Sequence, residues 1–103
     1  MSDATYTMND LTASGCYALC YTQALVYGKD SPHGVRFEIA QRRLAQTMTG
    51  DDIRRALAAG LAELTELGII ECERDGHGDL VPKRLREDRI RAADARVIIG
   101  DAQ

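Results

Sequence analysis

The sequence predicts a small, mostly α-helical domain carrying one β-hairpin, and three observations point to it. Ile53, Leu57, Leu61 and Leu64 fall on one stripe at steps of four, four and three, the spacing of an amphipathic helix. Directly after that stripe, Gly68 leads into two runs of strand composition, "IIECER" and "DLVPKRL", separated by the glycine-rich "DGHG". The chain has 103 residues with no internal repeat and no low-complexity linker, which suits one domain.

The elements follow in order. Residues 1–10 are small and polar and are expected to form a flexible arm. From Leu11 the sequence is apolar on nearly every side, with no proline before Pro32, so a buried helix is expected over 14–27, ended by Gly28. Tyr17, Tyr21 and Tyr27 on it are expected in the core or at an interface. "GKDSPHG" reads as a loop. "VRFEI", residues 35–39, alternates apolar and charged side chains and reads as a short half-buried strand. "AQRRLAQTM" then reads as a short helix with Ile39, Leu44 and Met48 available to face inward.

Gly50, able to take positive φ, marks the turn that follows, and Thr49 or Asp51 caps the next helix, expected over 51–67 with Gly68 just past its end. Gly60 lies inside that helix at a cost of about 1 kcal/mol relative to alanine. It borders the apolar stripe, so the first helix is expected to pack closely against it. Pro82 places the second hairpin strand at a sheet edge or near its own end. Residues 85–99 have helical propensity, with Ile90, Ala93 and Val97 on one face. They are expected to dock on the domain or on a second copy of it.

Composition narrows the function classes. The chain is 45% hydrophobic and 28% charged, and no apolar run reaches the roughly 18 residues that a membrane span needs. No positive charge precedes an apolar stretch at the N-terminus, so a cytoplasmic protein is expected. Three cysteines, an odd number, suit packed thiols better than a disulfide framework. Cys16 and Cys20 lie one helical turn apart, and Cys72 with His33 or His77 would have to complete any metal site. The tight Cys-x-x-Cys spacing of structural zinc is missing, so no metal and no cofactor are expected. No nucleophile elbow, phosphate loop or carboxylate dyad is present, which argues against an enzyme. The formal net charge of −3 argues against binding nucleic acid or anionic lipid by bulk charge.

The stretch "IAQRRLAQTMTGDDIRRALAAGLAELTELGII" resembles the helix-turn-helix of winged-helix regulators. Leu44-Ala45 stand where the first helix of the pair ends, Gly50 fills the turn, and Leu57, Leu61 and Leu64 match the inward positions. Gly68-Ile69-Ile70 lead toward the wing, and "ECERDGHGDLVPKRL" is similar to the wing hairpin. The likeness is to GntR-like domains and to helix-turn-helix domains of phage and plasmid proteins, and it covers residues 35–85.

The resemblance implies a winged helix-turn-helix fold and a small transcriptional regulator of phage, plasmid or bacterial origin. It implies double-stranded DNA as partner, the 51–67 helix in the major groove, and a homodimer formed through the N- and C-terminal helices. With Leu57 inward, the outward positions are Asp52, Arg55, Ala59, Ala62 and Glu66, flanked by Ala58 and Glu63. Arg55 then suits a bidentate contact to guanine. Arg54, Arg42 and Arg43 suit phosphates. The wing offers His77 at its tip, where it equally suits a plain turn residue, and Lys83 and Arg84 at its base.

The same face also carries features that suit a protein partner. It lacks Asn, Gln and Ser, three alanines make it smooth, and Glu63 and Glu66 would repel phosphate. Asp51 and Asp52 complement the helix dipole where a phosphate would otherwise dock. Residues 35–64 sum to +1 and residues 65–84 to −2, so the wing is acidic. The alternative expectation is a winged-helix protein–protein module. It would be an assembly subunit, or a phage-encoded inhibitor of a host defence complex that binds nucleic acid.

Overall fold

The computed structural model describes residues 5–90. A short 3-10 turn (Met8–Asp10) precedes three helices, α1 (Ala13–Tyr27), α2 (Pro32–Ala45) and α3 (Gly50–Glu66). Strands β1 (Ile70–Arg74) and β2 (Leu80–Leu85) follow as an antiparallel hairpin, and a 3-10 turn (Glu87–Arg89) comes after them. The fold is thus mostly helical with a small β wing.

Each helix begins on a hydroxyl. Thr12, Ser31 and Thr49 accept from the backbone N–H groups of Gly15, Gly34 and Asp52, each at 3.1 Å, which satisfies donors that the first turn leaves without partners. The Asp52 carboxylate in turn accepts from the Thr49 N–H, completing a capping box. Gly68 takes φ of 76° just past the end of α3, and the Ile69 N–H reaches back to the Leu64 carbonyl at 2.9 Å. Gly50 is the first residue of α3 and does not take positive φ, contrary to expectation; Thr49 is the cap that starts the helix.

The largest departure from the sequence reading is α2. Val35–Ile39, expected as a strand, forms the middle of this helix, and Pro32–Gly34, expected as loop, forms its first turn. Five alternating residues fit a strand, but Val35, Ile39 and Leu44 also fit a helical face. Pro32 sits at the first helical position, where its missing N–H costs nothing. Gly34 lies against the Gly28 and Lys29 carbonyls, where a Cβ would come within 2.5 Å of the Gly28 oxygen. Phe37 then packs between Tyr17 and Tyr21, with ring centroids 5.3 and 5.5 Å away. Tertiary packing of the aromatic side chain, not local alternation, decides the element.

The core gathers Ala18 and Leu19 of α1, Leu61 and Leu64 of α3, and Ile69 and Ile70 leading into β1. Ile53 and Leu57, nearer the start of the apolar stripe, are only half-buried. α1 crosses α3 at Gly60 as expected. A Cβ there would lie 2.7 Å from Ala18 Cβ and closer still to the Ser14 carbonyl. α2 rests on α1 and barely meets α3.

Glu63 joins the two packed helices a second time. Its carboxylate accepts from the Thr12 N–H at 2.9 Å and from the Thr12 hydroxyl, placing an acid at the N-terminus of α1. Gly15 leaves it room, since a Cβ there would come 2.7 Å from the Glu63 Oε2. Glu63→Ala is expected to lower stability by about 1 kcal/mol, the usual loss of a helix cap, read as a lower urea midpoint.

Both chain ends of the described region differ from expectation. Residues 6–10 are not a frayed arm: Tyr6 pairs in parallel with Ile90, its N–H donating to the Arg89 carbonyl at 2.7 Å, and Tyr6 and Met8 pack against the core. Residues 85–90 are not a helix. Leu85 ends β2, and Ile90 is held extended by its bridge to Tyr6. The remainder of the expected C-terminal helix, residues 91–99, and residues 1–4 lie outside the described residues.

Tyr27 and His33 stack across the α1–α2 turn with ring centroids 4.7 Å apart. Burial, and then the nearby Arg36 charge, hold the His33 pKa below the ordinary imidazole range. The fold therefore favours neutral His33. This contribution is fully present above the unfolded imidazole pKa and is lost as pH falls through the lower folded value. Between about pH 7 and pH 5, thermal unfolding is expected to shift down more in the wild-type chain than in a His33→Gln variant.

Candidate functional site

The surface that the sequence singled out begins at α3. All of its fully buried residues, Gly60, Leu61 and Leu64, lie in its second half. In the first half Ile53 and Leu57 are half-buried, and Arg54 and Arg55 extend into solvent, their side chains 75% and 80% exposed. Ala58, Ala59, Ala62 and Glu66 continue the exposed face, as the wheel expected. Glu63 does not act as an obstacle on it, because its carboxylate is turned to Thr12.

Each α3 arginine meets an acid of its own first turn. Arg54 pairs with Asp51, and Arg55 approaches Asp52 at 3.6 Å. Arg42 on α2 pairs with Glu38 at 2.6 Å. Arg43, also on α2, is exposed and lines a groove described below. Exposed pairs at this helical spacing contribute only about 0.3–0.5 kcal/mol. A good bidentate guanine contact discriminates by about 1–3 kcal/mol, so a nucleic acid can displace them.

The wing turn is built by Asp75, whose Oδ1 accepts from the His77 N–H at 2.8 Å and the Asp79 N–H at 3.0 Å, while Gly78 takes φ of 84°. His77 is therefore carried at the exposed tip. Lys83 is exposed on β2, and Arg84 faces Glu71 across the strands at 3.6 Å. Pro82 lies opposite Cys72 just past a register shift between Glu71 and Cys72, in a sheet whose two strands are both edges. The structure thus carries the seven cationic or titratable candidates on three elements: Arg42 and Arg43 on α2, Arg54 and Arg55 on α3, and His77, Lys83 and Arg84 on the hairpin.

A second surface was not legible in the sequence. Between α1 and α2 runs an open, mainly apolar groove of about 800 Å³, with Cys16 and Tyr17 on one wall and Val35 and Ile39 on the other. Val35 and Ile39 are 48% and 43% exposed despite their apolar character. Arg36 and Arg43 also line it. Among the described residues, Arg36 Nη2 is buried with no hydrogen-bond partner. Reading 35–39 as a strand hid this face, because the groove exists only if these residues are helical.

The three thiols are free. Burial pushes Cys16 and Cys20 above the ordinary thiol range, which leaves them poor nucleophiles. Among the described residues, no three His, Cys, Asp or Glu side chains gather as a metal site, and no helix is long and apolar enough to cross a membrane. No family model matches the sequence, and neither a curated protein nor a solved structure matches the chain.

Proposed function

We propose that the chain is a winged-helix DNA-binding protein, a small regulator that lays the first half of α3 in the major groove. One observation carries this reading: the fully buried residues of α3 lie in its second half, while Arg54 and Arg55 near its N-terminus extend into solvent, Arg55 from the face opposite Leu57. In such domains the N-terminal residues of the second helix of the motif meet base edges. Arg55 reads guanine, Arg54, Arg42 and Arg43 hold phosphates, and the hairpin brings His77, Lys83 and Arg84 to the flanking backbone.

The test is fluorescence anisotropy of a labelled random duplex titrated with the full-length chain. Affinity is expected to fall steeply between about 50 and 200 mM salt, as counterion release requires. No salt-sensitive binding to any duplex would end the proposal. Asp51→Asn frees Arg54 and removes a negative charge from the contact face. It is expected to tighten binding severalfold in the same titration.

A second reading, a protein-binding module such as an assembly subunit or an inhibitor that occupies another protein's nucleic-acid site, is favoured by the pairing of each α3 arginine with an aspartate. It predicts a stable host protein retained by the immobilised chain at a salt concentration that abolishes duplex binding.

A further inference from the structure

We propose that the groove between α1 and α2 binds a free single-chain amphiphile with an anionic head, a fatty-acid-like carboxylate. Arg36 takes the head group, and the acyl tail lies on Val35, Ile39 and Leu44 of α2 and on Cys16 and Tyr17 of α1. This inference goes beyond the DNA-binding reading and does not depend on it.

The groove has the size and lining of a small-molecule site. Its volume of about 800 Å³ falls within the range of about 300–1,000 Å³ common to such sites, which combine apolar walls with a few polar groups. The packing of α2 creates it. Phe37 anchors that helix on Tyr17 and Tyr21 of α1. Val35 and Ile39 stand two positions to either side of Phe37, on the far side of the helix from that contact. They line the groove and stay exposed. An acyl chain laid on them removes apolar surface of both partners from water.

The charges of the groove select the head group. Arg36 and Arg43 both line it, and their spacing of seven keeps them on one face of α2, two turns apart. Asp30 is the acid on its wall and is exposed. Among the described residues it forms no ion pair with either arginine. Glu38 of α2 is engaged with Arg42, and Glu63, whose charge reaches Cys16, is held by Thr12. Two arginines against one aspartate leave the groove cationic.

Arg36 is the group that calls for a ligand. Its Nη2 is buried and has no hydrogen-bond partner among the described residues, a costly state for a charged donor. Its charge is felt by Cys20 on the facing helix, where it opposes the rise that burial causes in the thiol pKa. The guanidinium ends a flexible side chain, so a small rotation turns its fork of N–H donors onto a carboxylate in the groove. Asp30 on the same wall penalises a second negative charge, which favours a monoanionic carboxylate over a phosphate monoester.

Isothermal titration calorimetry of the full-length chain with decanoate, kept below its micelle concentration, tests the site. Saturable binding is expected. Decyltrimethylammonium, with the same tail and a cationic head, is expected to bind at least tenfold more weakly. Arg36→Met keeps the apolar stem and removes the charge. It is expected to weaken decanoate binding at least tenfold, as the loss of a charge-assisted hydrogen bond in an apolar site does, with an unchanged far-UV circular dichroism spectrum. Should that variant fail to fold, Ile39→Asp, at an exposed position, puts a carboxylate in the path of the tail and is expected to abolish binding. No saturable binding by the wild-type chain overturns the proposal. So does equal affinity for the two head groups, or decanoate affinity that folded Arg36→Met or Ile39→Asp leaves unchanged. Binding to phosphatidylglycerol vesicles without binding of the free acid also overturns it, since a membrane surface would then be the ligand.

Discussion

Gly60→Ala is expected to destabilise the protein by about 1–3 kcal/mol, the range for forcing a methyl group into a well-packed contact. The sign is the informative part. At an exposed helical position the same change would stabilise by about 1 kcal/mol, because alanine is the better helix former. Here the added Cβ meets Ala18 Cβ at 2.7 Å and the Ser14 carbonyl more closely, and backbone cannot move aside as a flexible side chain can. The crossing of α1 over α3 would have to open, and with it the core of Leu19, Leu61, Leu64 and Ile69. Ala62→Gly, on the exposed face of the same helix, is the control and is expected to cost only about 1 kcal/mol. Urea unfolding followed by far-UV circular dichroism measures both, and a stabilised Gly60→Ala variant would refute the close approach.

Substituting both α3 arginines is expected to have the largest functional effect. Arg55→Ala should cost about 1–3 kcal/mol of duplex binding and relax the preference at one base pair, as the loss of a bidentate guanine contact does. Arg54→Ala should weaken binding evenly across sequences and reduce the salt slope by about one, as the loss of a phosphate contact does. The two side chains are highly exposed and held only by local aspartates, so neither change should move the unfolding midpoint appreciably. Anisotropy titrations of both variants against several duplexes separate the roles. Equal, sequence-independent losses would reassign Arg55 to the backbone.

The legible parts of the fold were those where a local signal and the tertiary structure agree. The α3 stripe, the hydroxyl cap at Thr49, the stop at Gly68 and the "DGHG" turn each have a short-range physical cause, and each lies where expected. Gly60 was legible for the same reason: a costly glycine beside an apolar stripe needs a neighbour that comes close. α2 was misread because a deciding interaction, Phe37 on Tyr17 and Tyr21, is distant in sequence, and because the close fit of Gly34 to the carbonyls of the preceding turn shows only once that turn is folded. The parallel bridge between Tyr6 and Ile90 joins the two ends of the described chain, and no local pattern announces it.

At the candidate site, the wheel placed Arg55 and the alanines correctly on the exposed face of α3. It set Glu63 beside them as a repulsive charge. A wheel knows one helix only, and Glu63 is committed to the N-terminus of another. The ion pairs of Arg54 and Arg55 follow from spacings of three along a helix. They turn a basic face into one where each cation already has a weak local partner.

The most direct measurement of the DNA-binding account is an amide chemical-shift titration of the isotopically labelled full-length chain with a duplex. The account predicts shifts concentrated in residues 51–59 of α3 and 75–79 of the wing turn, diminishing as salt is raised. No shifts, or shifts confined to α1 and α2 along the groove, would contradict it.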